Sequence, residues 1–112
     1  FSAHHALDNL IAIIDYNKIQ SLTTVEKTLR LEPLAEKIRA FGWSVREIDG
    51  HDHFALKDLL KSPPWEIGKP SMLIAHTTKG KGVSFMENKV EWHYKSPSAV
   101  QLKQALDEID HA

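Results

Sequence analysis

Cysteine is missing from all 112 residues, so no disulfide framework, thiolate metal site or thiol nucleophile is available. That absence suits a reducing compartment. An excess of one charge is missing too: 14 basic residues face 15 acidic ones, for a formal net charge of −1. No broad field exists to draw in nucleic acid or an anionic membrane, so an anion must be caught locally. No apolar run approaches the roughly 18 residues that span a bilayer, and no signal-peptide pattern is visible. Neither a Gly-x-Ser-x-Gly elbow nor a Gly-x-x-x-x-Gly-Lys-Ser/Thr loop occurs, and no internal repeat or low-complexity tract is present. Histidines stand at 4, 5, 51, 53, 76, 93 and 111, a spacing that makes no zinc pattern. The length suits a single domain with a real core and is short for a complete doubly wound enzyme.

What is present starts with Leu10-Ile11-Ala12-Ile13-Ile14, unbroken apolar residues followed at once by Asp15, Asn17, Lys18 and Gln20. So short an apolar run reads as a strand covered on both faces, the centre of a parallel sheet. Ahead of it, residues 1 to 7 are helical in composition, like the back half of a helix entered midway, and Asp8-Asn9 end them. The expectation is a piece of something larger. Ser21 to Thr28 reads as a polar surface loop. Leu31, Leu34, Ile38 and Phe41 share one face of a helix over about 31 to 41; Pro33 sits in its first turn and Gly42 is its left-handed stop. Trp43 to Ile48 alternates like a strand nearer the sheet edge. Asp52 caps a helix over about 53 to 61 that buries Leu56, Leu59 and Leu60. Ser71 to Thr77 is a third strand. Ser96-Pro97 starts a last helix, with Ala99, Leu102, Leu106 and Ile109 on its inner face. The fold class is α/β, a three-layer parallel sheet with a β-α-β-α-β core, in one partial domain over residues 1 to 112.

In open α/β sheets ligands sit beyond the carboxyl ends of the strands. Asn17 lies there, and its amide oxygen suits Mg²⁺ or Ca²⁺, with the Ile19 carbonyl as a second oxygen from the same turn. On this stretch alone, Asn17 reads first as closing that turn by a local hydrogen bond. Thr78-Lys79-Gly80-Lys81-Gly82 opens on the same rim, where Lys79 supplies a cation and the glycines let backbone N–H groups approach a phosphate; as a lone pattern it also describes a solvated loop. His93, between Trp92 and Tyr94, suits a hydrogen bond to phosphate or a substrate hydroxyl and a proton transfer near neutral pH. The other reading is an aromatic cluster that packs the loop, with His93 its polar tip. His76 reads as a hydrogen-bonded, partly buried strand end.

The series Leu7-Asp8-Asn9-Leu10 through Asp15-Tyr16-Asn17-Lys18-Ile19-Gln20, then Phe41-Gly42-Trp43, Asp49-Gly50-His51, Lys69-Pro70, Thr78-Lys79-Gly80-Lys81-Gly82-Val83 and Trp92-His93, resembles the thiamine-diphosphate-binding domain of transketolase. It looks most like the form whose amino-terminal half is a separate subunit. The resemblance implies thiamine diphosphate and Mg²⁺ (or Ca²⁺) as cofactors, with Asn17 and the Ile19 carbonyl on the metal. Lys79 would stand near the cofactor, and His93 would reach both the diphosphate and the sugar, the one catalytic residue expected here. It implies transfer of a two-carbon ketol unit between sugar phosphates in a cytoplasmic enzyme of the pentose phosphate pathway. A complementary pyrimidine-binding subunit or domain and a homo- or hetero-oligomer follow, with no nucleic-acid or membrane partner. The family's Gly-Asp-Gly metal element and its activating glutamate match nothing in this chain, so the expectation is that the polypeptide is inactive alone. Dihydroxyacetone synthase, deoxyxylulose-phosphate synthase, a dehydrogenase E1 component and a non-catalytic assembly domain stay open beside it.

Overall fold

A computed structural model describes residues 1–111. In chain order the elements are β1 (Ile11–Tyr16), α1 (Val25–Thr28), α2 (Leu34–Ala40), β2 (Ser44–Asp49), α3 (His53–Leu60), β3 (Ser71–His76), a 3₁₀ turn (Val90–His93) and α4 (Ala99–Asp110). They fall into two compact units: Phe1–Tyr16 with Leu31–Thr77, and Asn17–Arg30 with the described residues from Thr78 onward.

The first unit is an α/β sheet of three parallel strands in the order β1-β3-β2. Its register runs from Ile11, Ser71 and Ser44 at one end to Tyr16, His76 and Asp49 at the other, so the strands finish level and the chain leaves each at one rim. The connection from β1 to β2 and that from β2 to β3 run in opposite directions along the sheet. Right-handed crossovers therefore put α2 and α3 on opposite faces, which makes three layers. Leu73 and Ile74 of β3 are fully buried, and Val45, Ala35 and Ala75 are buried as well. Burying each of Leu73, Ile74 and Val45 contributes about 1.5–3 kcal/mol.

The central strand is β3, not β1 as its composition suggested. β1 is an edge strand, and Ile13 on it is 54% exposed. An unbroken apolar run reports that a strand is greasy on both alternations; which of two such strands gains neighbours on both edges is decided by the crossovers. β2 is an edge strand, as its alternation predicts. Residues 1–7 form an irregular turn rather than a helix, with His5 N–H on the Phe1 carbonyl (3.0 Å) and Leu7 N–H on that of Ser2 (3.0 Å). Ala6 at φ 49° breaks the winding.

α2 starts three residues later than its apolar period suggests. The Glu32 carboxylate takes the Leu34 N–H (3.0 Å), and the Lys37 ammonium donates to the Leu31 (2.6 Å) and Glu32 (3.1 Å) carbonyls. The side chains cap residues 31–33 as a lead-in instead of letting them wind. Gly42 ends the helix at φ +86°, as expected. Asp52 caps α3 through the Phe54 and Ala55 N–H groups (3.0 and 2.9 Å); Leu56 and Leu59 are half-buried, while Leu60 is exposed.

In the second unit, part of the expected loop from Ser21 to Thr28 winds into α1 under a Thr24 cap. α4 is capped by Ser98, not Ser96, because only Ser98 has a glutamine three residues on. The Gln101 N–H donates to Ser98 Oγ and the Ser98 N–H to Gln101 Oε1, a reciprocal pair Ser96 cannot form with Ala99. The helix buries Ala105; Leu102, Leu106 and Ile109, expected inside, are exposed. Val25, Val83 and Ala105 are the buried apolar side chains of this unit among the described residues. With so few, its hydrogen bonds carry much of its shape.

Candidate functional site

Asn17 follows directly on β1. Lys18 is left-handed at φ 64°, and this brings the Ile19 N–H onto Asn17 Oδ1 at 3.0 Å. The local hydrogen bond is thus real. It uses one of the two lone pairs on an amide oxygen and leaves the second for another partner. Ile19 opposes Thr24 in an isolated antiparallel bridge whose flanking bonds run from Val25 N–H to the Lys18 carbonyl (2.9 Å) and from Gln20 N–H to the Thr23 carbonyl (2.8 Å). The Ile19 carbonyl takes part in neither. The frame thus leaves acceptor capacity on both oxygens of this turn.

Immediately before Asn17, Tyr16 is buried and donates from its hydroxyl to Glu32 Oε1 at 2.7 Å. Burial first, then the Glu32 hydrogen bond and negative charge, push the phenol up to about 12. Nearby on the sheet, Thr77 Oγ1 donates to Asp15 Oδ1. His76 Nε2 pairs with Glu47 Oε2 at 3.0 Å and is partly exposed, as expected for a strand-end histidine.

The basic loop differs from its expected use. A Cβ at Gly80 would lie 2.8 Å from the Met86 backbone, and the residue sits at φ +73°. This glycine therefore lets two stretches of main chain touch. The Gly82 N–H donates to Glu87 Oε1 at 3.0 Å, so it serves a carboxylate of the protein and not an incoming phosphate. Lys79 is different: it is half-buried, its carbonyl accepts from Asn88 N–H (2.9 Å), and among the described residues no carboxylate pairs with its ammonium. A half-buried lysine that forms no ion pair among the described residues can offer its ammonium to an anion.

His93 closes the 3₁₀ turn, exposed, with Nε2 at 3.3 Å from Ser21 Oγ in a shared hydrogen bond. The aromatic packing is real as well. The Trp92 indole N–H donates to the Phe85 carbonyl (2.9 Å), the two rings lie 5.3 Å apart, and the Lys95 ammonium stands 4.7 Å from the indole. Trp92 packs the loop while His93 stays outside it, edge-on to Tyr94.

Asn17, Ile19, Lys79 and His93 therefore belong to one compact unit, and the Ser21–His93 bond joins the turn after β1 to the histidine. Asn17 and Lys79 share no hydrogen bond among the described residues. Sequence reasoning missed Ser21, Glu87 and the Ser84–Glu108 contact; Ser21 and His93 are 72 residues apart, and no local pattern encodes such a pairing. Among the described residues no three of His, Cys, Asp and Glu form a metal site. The donors available here are two neutral oxygens, one ammonium and one imidazole, which fit the diphosphate end of a metal-bound cofactor and supply no metal carboxylate.

Comparison with known proteins gives this arrangement a family. The sequence model described as transketolase, thiamine diphosphate binding domain, matches residues 1–108. An apulose-4-phosphate transketolase subunit from Phocaeicola vulgatus is 42% identical over 94% of this chain and 37% of its own length. A 6-deoxy-6-sulfo-D-fructose transketolase subunit from a Clostridium species is 40% identical over 98% of this chain and 40% of its own. The crystal structure of Campylobacter jejuni transketolase superposes with a TM-score of 0.81 at 30% identity, over 97% of this chain and 17% of that one. The chain thus spans 37% to 40% of these subunit relatives. Among the described residues no helix is long and apolar enough to cross a membrane. On the family match and these identities, the chain belongs to the transketolase family, as a thiamine diphosphate binding domain.

Proposed function

We propose that this chain holds the diphosphate end of thiamine diphosphate, with its divalent metal, in an enzyme that transfers a two-carbon ketol unit from a ketose phosphate to an aldose phosphate. What supports this most is that the turn carrying Asn17 and Ile19, the loop carrying Lys79 and the 3₁₀ turn carrying His93 fold into one compact unit. Asn17 Oδ1 and the Ile19 carbonyl are the oxygens for Mg²⁺ or Ca²⁺. Lys79 offsets charge on the diphosphate. His93 binds phosphate or a sugar hydroxyl, and Ser21 holds its ring through Nε2. The bound cofactor supplies the electron sink for the carbon–carbon bond chemistry, while the protein contributes binding, orientation and charge. Two relatives are named as transketolase subunits. Those names support a complementary pyrimidine-binding subunit or domain as the partner, in a cytoplasmic oligomer.

Calorimetry with thiamine diphosphate tests this, with and without Mg²⁺ and in the presence of the complementary subunit. Binding that depends on Mg²⁺ and weakens about tenfold or more in Asn17→Ala is expected, the loss typical when a metal shell is damaged. No Mg²⁺-dependent binding in the assembled protein overturns the reading, and unchanged affinity in Asn17→Ala removes Asn17 from the metal shell.

A further inference from the structure

The loop between Lys79 and His93 is tied to α4 through a carboxylate outside it. The Ser84 N–H donates to Glu108 Oε2 at 2.6 Å and the Ser84 hydroxyl to Oε1 at 2.8 Å; the Gln104 amide, one turn earlier on α4, donates to Oε1 at 2.7 Å. Three donors on one carboxylate make a charge-assisted clamp with a defined direction. On one side of Ser84 the chain runs back through Val83, whose N–H bonds the Gly80 carbonyl (3.1 Å), to Lys79. On the other side Phe85 accepts the indole N–H of Trp92, the neighbour of His93. Ser84 is thus the point at which α4 grips the segment between the two candidate ligands.

We propose that Glu108 is a positioning residue: by clamping Ser84 it fixes the loop that presents Lys79 and His93 to the anionic end of the cofactor. This rests on the reading of the unit as a diphosphate holder. The buried apolar residues here are few and small, so the hydrogen-bonded clamp adds to the Phe85–Trp92 packing in setting where the loop lies. The three donors also hold the Glu108 carboxyl below the usual glutamate range, with the Ser84 backbone N–H the largest cause.

The test uses Glu108→Gln, Ser84→Ala and the double variant in the native assembly. The amide variant removes the negative charge that strengthens all three bonds, so the clamp weakens while side-chain shape is kept. Two readouts are taken: thiamine diphosphate affinity with Mg²⁺, and amide hydrogen exchange of residues 79–89 against β3. Each single variant is expected to weaken the cofactor about threefold to tenfold, the scale of one lost hydrogen bond, with the double variant no weaker than Glu108→Gln alone. Exchange should quicken in residues 79–89 and not in β3. Unchanged affinity in the variants overturns the proposal, as does exchange that quickens equally in β3, which would make the role one of general stability. If the unaltered protein itself fails to bind thiamine diphosphate, the functional reading fails and this proposal with it, an outcome distinct from variants that bind like their parent.

Discussion

Tyr16 offers the sharpest physical test of how the strand before Asn17 is held. It is 6% exposed, and its hydroxyl donates to Glu32 at 2.7 Å; Glu32 in turn accepts the Leu34 N–H at the start of α2. Burial and the adjacent carboxylate raise the phenol from 10.0 to about 12. At about 1.4 kcal/mol for each unit, ionising it costs the folded state roughly 3 kcal/mol. Because the folded value lies above the unfolded one, this stability is complete below pH of about 10 and is lost as pH rises through about 12. Tyr16 and Tyr94 are the only tyrosines in the chain, so Tyr94→Phe leaves Tyr16 as the sole source of phenolate absorbance. Titrating that variant should give a midpoint near 12 when folded and near 10 in denaturant. Urea unfolding of Tyr94→Phe should weaken across that window more than the Tyr16→Phe/Tyr94→Phe double variant does. At neutral pH, Tyr16→Phe should cost only about 0.5–1.5 kcal/mol, since Glu32 is exposed and water replaces the lost donor. A folded-state midpoint at 10, or equal alkaline weakening in both proteins, would refute the argument.

Leu73→Ala empties a site with no solvent exposure on the central strand and should destabilise by about 2–5 kcal/mol in urea melts; a loss below 1 kcal/mol would mean the sheet centre lies elsewhere. A Cβ at Gly50 would lie 2.5 Å from the Thr77 methyl and 3.1 Å from the Ala75 Cβ, and Thr77 is tied to Asp15. Gly50→Ala should therefore cost about 1–3 kcal/mol by the same melts, whereas a neutral change would show that Thr77 moves freely. The Lys69 ammonium first, then the Ser44 hydroxyl, hold the Glu66 carboxyl below the usual glutamate range. Its stabilising share is present above the ordinary glutamate value and lost as pH falls through the depressed one. Carbon-13 titration should find the Glu66 midpoint moved upward more by Lys69→Ala than by Ser44→Ala; the reverse order would invert the assigned causes.

The sequence by itself determined what is written in short-range chemistry. Two apolar runs and one alternating stretch, separated by amphipathic segments, dictate three strands and right-handed crossovers, hence a parallel α/β sheet. Asp52 and Gly42 do locally what their residue types predict, and the ordered series of motifs carries the family. Tertiary structure alone decided whatever depends on who meets whom across the chain. It placed β3 rather than β1 at the centre, and it turned Leu102, Leu106 and Ile109 outward while burying Ala105. It spent the Gly82 N–H on Glu87, and it brought Ser21 to His93 across 72 residues. The physical reason is that an apolar stripe or a glycine states a demand for burial or close approach. Which neighbour meets that demand is set by packing between segments distant in the chain.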